Sequence, residues 1–240
     1  MNWWFFIIFR IIFLYKFQLP FIWILGVRRS GLTPTLRIFS GMQSSLLMQG
    51  VFLGSAKELR HLLQPLLRAG SPENVTIEEI PWIDAATRIA AAQPVSPLPF
   101  KSVGPYLYHL LPDKGITTIR HFLNKPPTSQ VSMFFHGLGG AVAKVSKTAT
   151  AYFQHPALSN MSIFATWDKP EDAALGIHWV EDFRKAMLPF TRYVYVNTQD
   201  LSIQDWPEDY YGANFHRLTK VKAKYAPKNV FKFPQSIPPA

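Results

Sequence analysis

Two periodicities alternate along most of this chain, and their order limits the folds open to it. Segments with a two-residue apolar period, "LLMQGVFLG" (46–54), "NVTIEEI" (74–80), "VSMFFHG" (131–137), "NMSIFATW" (160–167) and "RYVYVN" (192–197), read as half-buried strands. Between them lie segments with helical spacing. Ser55 with Glu58 three residues on forms a capping-box signature. Leu59, Leu62, Leu63, Leu66 and Leu67 then fall on one stripe, with Pro65 placed to kink the helix. "WIDAATRIAAA" and "DKGITTIRHFL" are further helices, and the prolines of "QPVSPLPFKS" predict a loop. Asp168 and Glu171 repeat the capping logic before a helix burying Ile177, Val180, Phe183 and Met187. Asn214 is placed to cap a last helix, with Phe215, Leu218, Val221 and Tyr225 inward and Arg217, Lys220 and Lys224 outward. The interleaving lacks a strict strand–helix–strand repeat. It predicts an α+β fold, a mainly antiparallel sheet with helices on one side.

The first thirty residues do not follow this pattern. Residues 3–27 are almost wholly aromatic or aliphatic and have the length of a membrane span, yet Arg10 and Lys16 interrupt them. The expected organisation is an apolar segment over 1–30, an anchor or a misread remnant, then a substrate domain over 31–200 and a terminal segment over 201–240. A membrane partner is expected only if residues 3–27 are a genuine anchor. The compartment expected is otherwise the cytoplasm.

Composition excludes several chemistries. The 240 residues contain no cysteine, so disulfides, thiolate catalysis and cysteine-ligated zinc are ruled out within the chain. The seven histidines show no metal-ligand spacing, and no metal is expected. "FFHGLGGAV" (134–142) resembles an oxyanion-hole run, but no G-x-S-x-G elbow accompanies it. As a dinucleotide loop it lacks the third glycine, because Val142 occupies that place. The sequons at Asn74 and Asn160 matter only in a secreted chain. A net charge of +10 favours anionic partners without choosing among them. The run over 217–232, Arg217 and five lysines with no acid, reads as a solvated face. By their chemistry alone, Tyr210 and Tyr211 read as packing residues.

The C-terminal stretch "YYGANFHRLTKVKAKYAPKNVFKFPQSIPP" carries a tyrosine pair, a glycine, an asparagine, a lysine-rich helix and a closing Gln-Ser-Ile-Pro-Pro. Upstream stand "LTPTLRIFSGMQ", "GVFLGSAKELRHLL", "IEEIPWIDA", "FKSVGPYLY", "GLGGAVAKV", "ATAYFQHPAL" and "YVNTQDLSI". In that order these pieces resemble the berberine-bridge-enzyme-like FAD-linked oxidases of the vanillyl-alcohol-oxidase superfamily, and the Bacillus-type members most. The resemblance runs from Leu32 to Pro239. It implies a substrate domain whose sheet packs over the flavin of a preceding FAD-binding domain, and a final segment that braces that domain. Residues 1–30 do not resemble an FAD domain, which is expected to be missing here. The implied cofactor is FAD, held mainly by that domain. The implied partners are a small-molecule substrate and the FAD domain, with no nucleic acid. The implied reaction oxidises an alcohol or amine carbon by hydride transfer to flavin.

By resemblance, Tyr210 is the catalytic tyrosine and Tyr211 its neighbour in the pair. Ser162 lies on the strand where relatives place a Gln or Glu toward the substrate. His155 replaces the arginine of a His-Arg pair, Gln154 replaces its histidine, and both touch the substrate side. Asn197 and Asn214 match asparagines lying toward the flavin. Ala226 replaces an aspartate in a turn. The reading opposed to this one is a membrane-tethered or polyanion-binding module without catalysis.

Overall fold

The structure is a computed structural model that describes residues 4–12, 32–39, 45–69, 72–91, 98–127 and 131–240. Nine strands among these residues form one sheet: β1 (Trp4–Ile12), β2 (Leu32–Phe39), β3 (Ser45–Leu53), β4 (Pro72–Ile80), β5 (Phe100–Val103), β6 (Pro105–Leu107), β7 (Val131–Gly137), β8 (Ser159–Thr166) and β9 (Arg192–Val194). Their order is β4-β1-β3-β2-β7-β8-β6-β9, with β5 beside β6 on the same edge of β8. All the pairings are antiparallel.

Register decides which side chains meet. Met48, Leu36, Phe135 and Met161 lie across neighbouring strands in one fully buried row. Ile38, Met133, Ile163 and Val103 make the next. Three helices cover these rows: α1 (Ala56–Ala69), α3 (Asp113–Asn124) and α5 (Ala173–Met187). The Ser55 hydroxyl accepts the Glu58 N–H at 3.1 Å, as the capping box requires, and α1 runs through Pro65. Its Leu59, Leu63 and Leu66 are buried on the expected stripe. α2 (Trp82–Ala91) differs from the expected one-sided layering. Its Ala85 packs with Val51 and Ile80, and Val51 points to the opposite face from Phe52. The second face is thus covered at the β1/β4 end, while over β2, β7, β8 and β6 it carries half-buried polar and aromatic side chains.

Several local expectations change in three dimensions. Phe100–Val103 is a strand, because its N–H groups lie past the last proline and pair along the edge of β8. A 3-10 turn over Pro170–Asp172 leads into α5, with Pro170 in the first turn where a missing N–H costs nothing. α6 (Trp206–Tyr211) and a 3-10 turn (Gly212–Asn214) run into α7 (Phe215–Tyr225). Asn214 has helical dihedrals and makes no cap bond. On α7, Thr219 is buried and Phe215 and Leu218 half-buried, but Val221 and Tyr225 are 44% and 74% exposed, contrary to the expected inward stripe.

Of the N-terminal segment, Trp4–Ile12 is paired on both edges, to β3 and to β4. Residues on both sides of position 30 therefore share one sheet. The remainder of the 3–27 stretch lies outside the described residues. Among the described residues no helix is long and apolar enough to cross a membrane.

Candidate active site

The polar face of the sheet is built by the same pairings that build the core. Thr35, His136 and Asn160 lie in one cross-strand row that continues to Tyr106, and Arg37, Phe134 and Ser162 lie in the next. The Arg37 guanidinium sits 4.6 Å from the Phe134 ring centre, and Phe134 is nearly coplanar with His136 at 6.2 Å. Thr35 Oγ1 lies 3.4 Å from His136 Nδ1. Burial lowers the His136 pKa, so the imidazole is neutral near neutrality.

At the β6 end of this face stand three tyrosines. Tyr106 is buried, and the rings of Tyr152 and Tyr195 meet it edge-on, each 6.3 Å away. Burial pushes the Tyr106 hydroxyl far above its ordinary range, and its hydrogen bond to Tyr152 pushes it further. Burial also raises Tyr152, but the Tyr106 hydrogen bond opposes that rise. Tyr152 is thus the member of the pair that ionises first, with Tyr106 as donor to it.

Four of the six residues named from sequence gather around this trio. Ser162 donates to Asn160 Oδ1 at 3.1 Å, and the Asn160 amide donates to Gly104 O at 2.8 Å beside Tyr106. His155 is buried edge-on to Tyr152 at 4.9 Å, with Nε2 3.0 Å from Thr150 Oγ1 and its buried Nδ1 without a partner. Asn197 donates to the Tyr195 hydroxyl at 2.8 Å. Asn214 is buried and spends its amide on Lys147 O and Thr150 O, at 2.9 and 3.1 Å, fixing the loop that carries Tyr152. Gly104 lets these groups converge: a Cβ there would stand 2.7 Å from Thr198 Oγ1 and 3.1 Å from Asn160 Nδ2.

Tyr210 and Tyr211, the tyrosines that the resemblance names as catalytic, lie away from this trio. The Tyr210 ring belongs to the hydrophobic core on the helix side, 1% exposed. Its hydroxyl accepts the Asp200 N–H at 2.9 Å and donates to Gln235 Oε1 at 3.2 Å. Burial raises its pKa, and both sides of the hydroxyl are taken up within the chain. Tyr211 is half-buried among Trp206 and Phe215, and burial raises it too. The pair fastens the terminus. Gln235 donates to Asp200 O and Ile203 O at 2.9 and 3.1 Å, closing the last residues onto the turn after β9.

Asp200 is the hub of that turn. Its side chain meets Lys101 Nζ at 2.7 Å, and Lys101 also reaches Glu181 of α5 at 3.0 Å. Burial by itself would raise the Asp200 carboxyl. The hydrogen bonds from Lys101 and Ser202 outweigh it and hold the group below its ordinary range.

The trio of Tyr106, Tyr152 and Tyr195, and Asn160 with them, were not singled out from sequence. A signal existed for Asn160: any alternation that points Ser162 at the polar face points Asn160 there as well.

An antiparallel β-sheet with three helices on one face, α2 and a polar aromatic row on the other, and a strapped C-terminus defines an α+β fold. The sequence profile "Berberine and berberine like" matches residues 194–238. FAD-linked oxidoreductase YgaK of Bacillus subtilis (strain 168) is 37% identical over 190 residues, 79% of this chain and 42% of that protein. FAD-linked oxidoreductase YvdP of the same organism is 36% identical over 208 residues, 85% of this chain and 46% of that protein. The chain therefore belongs to the berberine-bridge-enzyme-like family of FAD-linked oxidoreductases. Its fold matches berberine bridge enzyme from Eschscholzia californica with a TM-score of 0.83 at 22% identity, over 98% of this chain and 55% of that one. It matches aclacinomycin oxidoreductase with a TM-score of 0.85 at 20% identity, over 100% and 56%. The chain spans about half the length of the relatives it matches.

FAD itself does not fit the described residues as a resident group. Asn214 is spent on carbonyls, and Asn197 donates to Tyr195. A diphosphate is commonly met by backbone N–H groups where a glycine loop opens a helix. Here Gly139 and Gly140 open only α4 (Gly140–Ala143), four residues long.

Proposed function

We propose that this chain is the substrate-facing part of an FAD-linked oxidoreductase acting on an alcohol or amine carbon, and that the flavin is held by residues other than those described. The observation that carries this reading is the convergence of Ser162, His155 and Asn197 with Asn160 on the trio of Tyr106, Tyr152 and Tyr195, within a family of FAD-linked oxidoreductases. In this reading the Ser162 hydroxyl, oriented by its bond to Asn160, accepts a hydrogen bond from the substrate. Tyr152, the first of its pair to ionise, takes the substrate proton as its phenolate and becomes the phenol, and the Tyr106 hydrogen bond stabilises that phenolate before the transfer. His155 holds the Tyr152 ring from its edge. The exposed apolar side chains of the C-terminal stretch, Tyr225, Val230, Phe231 and Phe233, are where the FAD-holding part docks.

The test is a chimera in which this chain replaces the matching region of YgaK. It is mixed anaerobically with alcohols and amines that reduce the YgaK flavin. We expect flavin retention and reduction by at least one compound, slowed about a hundredfold by Tyr152→Phe. A chimera whose flavin is bleached by dithionite but by none of those compounds would sink the reading.

A further inference from the structure

We propose that the hollow between the turn after β6, the 144–158 loop and the end of α5 binds a flat aromatic anion, a one- or two-ring carboxylate. The hollow has a volume of about 470 Å³, the scale of small-molecule sites. Its walls include the rings of Tyr108, Phe153, Phe190 and Tyr193, and two cations, Lys147 and Arg192, border it. No carboxylate lines it; Glu208 reaches only the Tyr193 hydroxyl.

The walls are fixed before any ligand arrives. Phe153 and Tyr193 meet edge-on at 5.2 Å, and Tyr108 meets Tyr193 the same way at 5.8 Å. The Lys147 ammonium stands 5.4 Å from the Phe153 ring centre, and the Arg192 guanidinium 4.9 Å from that of Tyr193. Lys147 is held through its own carbonyl by Asn214. Tyr193 adopts φ +59°, a left-handed conformation that is strained for an aromatic residue. The Tyr108 hydroxyl is buried and has no hydrogen-bond partner, an arrangement that leaves a polar group to be satisfied by what enters.

A planar ring suits the aromatic walls, and a carboxylate suits two cations in a hollow lined by no acidic residue. A neutral aromatic would meet the same walls and forgo both cations. This site adjoins the Tyr106 trio but is lined by none of its members, and the proposal does not rest on the oxidoreductase reading.

The test uses the 240-residue chain, with 2-naphthoate as probe and neutral 2-naphthylmethanol as control, by calorimetry and saturation-transfer NMR. We expect 2-naphthoate to bind with a Kd on the order of 1 mM or tighter and to weaken as salt is raised. The alcohol should bind about tenfold more weakly. Lys147→Gln and Arg192→Gln, both at exposed positions, should each weaken 2-naphthoate severalfold with an unchanged circular dichroism spectrum. Tyr108→Phe keeps the ring and should weaken it less. Equal binding of acid and alcohol, full binding by the Lys147→Gln/Arg192→Gln double variant, or no saturable binding at about ten times the expected Kd would each overturn the proposal.

Discussion

The Tyr210 hydroxyl ties three parts of the chain together: the Asp200 backbone, the Gln235 side chain and the core around Trp206. Tyr210→Phe keeps the ring but leaves the buried Asp200 N–H unsatisfied. It should destabilise the chain by about 1–3 kcal/mol in urea unfolding. A catalytic residue replaced by its isostere would leave that midpoint in place. Gly212 is a second sensitive position. It holds φ +50°, and a Cβ there would stand 2.5 Å from the Phe153 ring. Gly212→Ala should cost more than about 1 kcal/mol, read in the same experiment. His136 gives a pH test. Its pKa is lowered by burial, so below the ordinary histidine value of 6.5 the unfolded chain binds a proton that the folded chain refuses. Stability is complete above that value and falls as pH drops from it toward the folded pKa. His136→Gln should flatten this slope. The Asp200 carboxyl adds a separate loss lower down, as pH falls from the ordinary 3.8 toward its depressed folded value.

At the level of elements, the strap from Ser202 to the C-terminus hangs on few bonds. Gln235, itself at φ +63°, makes three of them, to Asp200, Ile203 and Tyr210. Gln235→Ala should release residues 232–240, seen as faster amide exchange there, while exchange in β7 and β8 stays slow. The helices show which local rules survive folding. α1 keeps its capping box and leucine stripe because both are satisfied within one element. Asn214 makes no cap bond because its backbone is already helical, and its side-chain amide instead donates to two loop carbonyls, Lys147 O and Thr150 O. Those carbonyls lie about 65 residues away in sequence, beyond any capping rule. β5 forms in a proline-rich stretch because β8 offers an edge that β6, which starts only after Gly104, leaves open.

For the whole molecule, one face of the sheet is a closed core and the other stays partly open toward whatever completes the site. Tyr225, Val230, Phe231 and Phe233 are more than half exposed and fall within one short stretch of the chain, an apolar cluster in sequence. If this cluster docks to the FAD-holding part, Tyr225→Ser with Phe231→Ser should leave the stability of the 240-residue chain within about 0.5 kcal/mol. The same pair should lower flavin retention in the YgaK chimera. Unchanged retention would remove the cluster from the interface.

Sequence alone determined the strand and helix pattern of most of the chain, the absence of cysteine chemistry and the family, because each is written in local spacing or in ordered motifs. Most strands were legible from alternation, and the place of Ser162 on the polar face followed from it. Only the tertiary structure decided that Tyr210 is buried and fastens the terminus. Burial and hydrogen-bond partners are set by residues such as Asp200 and Gln235, which no spacing around "DYYGANFHR" reveals. Only it brought Tyr106, Tyr152 and Tyr195 together, since three rings from separate segments meet through sheet register and loop closure, which are long-range properties of the chain. It also turned Trp4–Ile12, which by composition looks like a lipid-facing run, into a strand between β3 and β4, because the edges of two strands distant in sequence meet its backbone on either side.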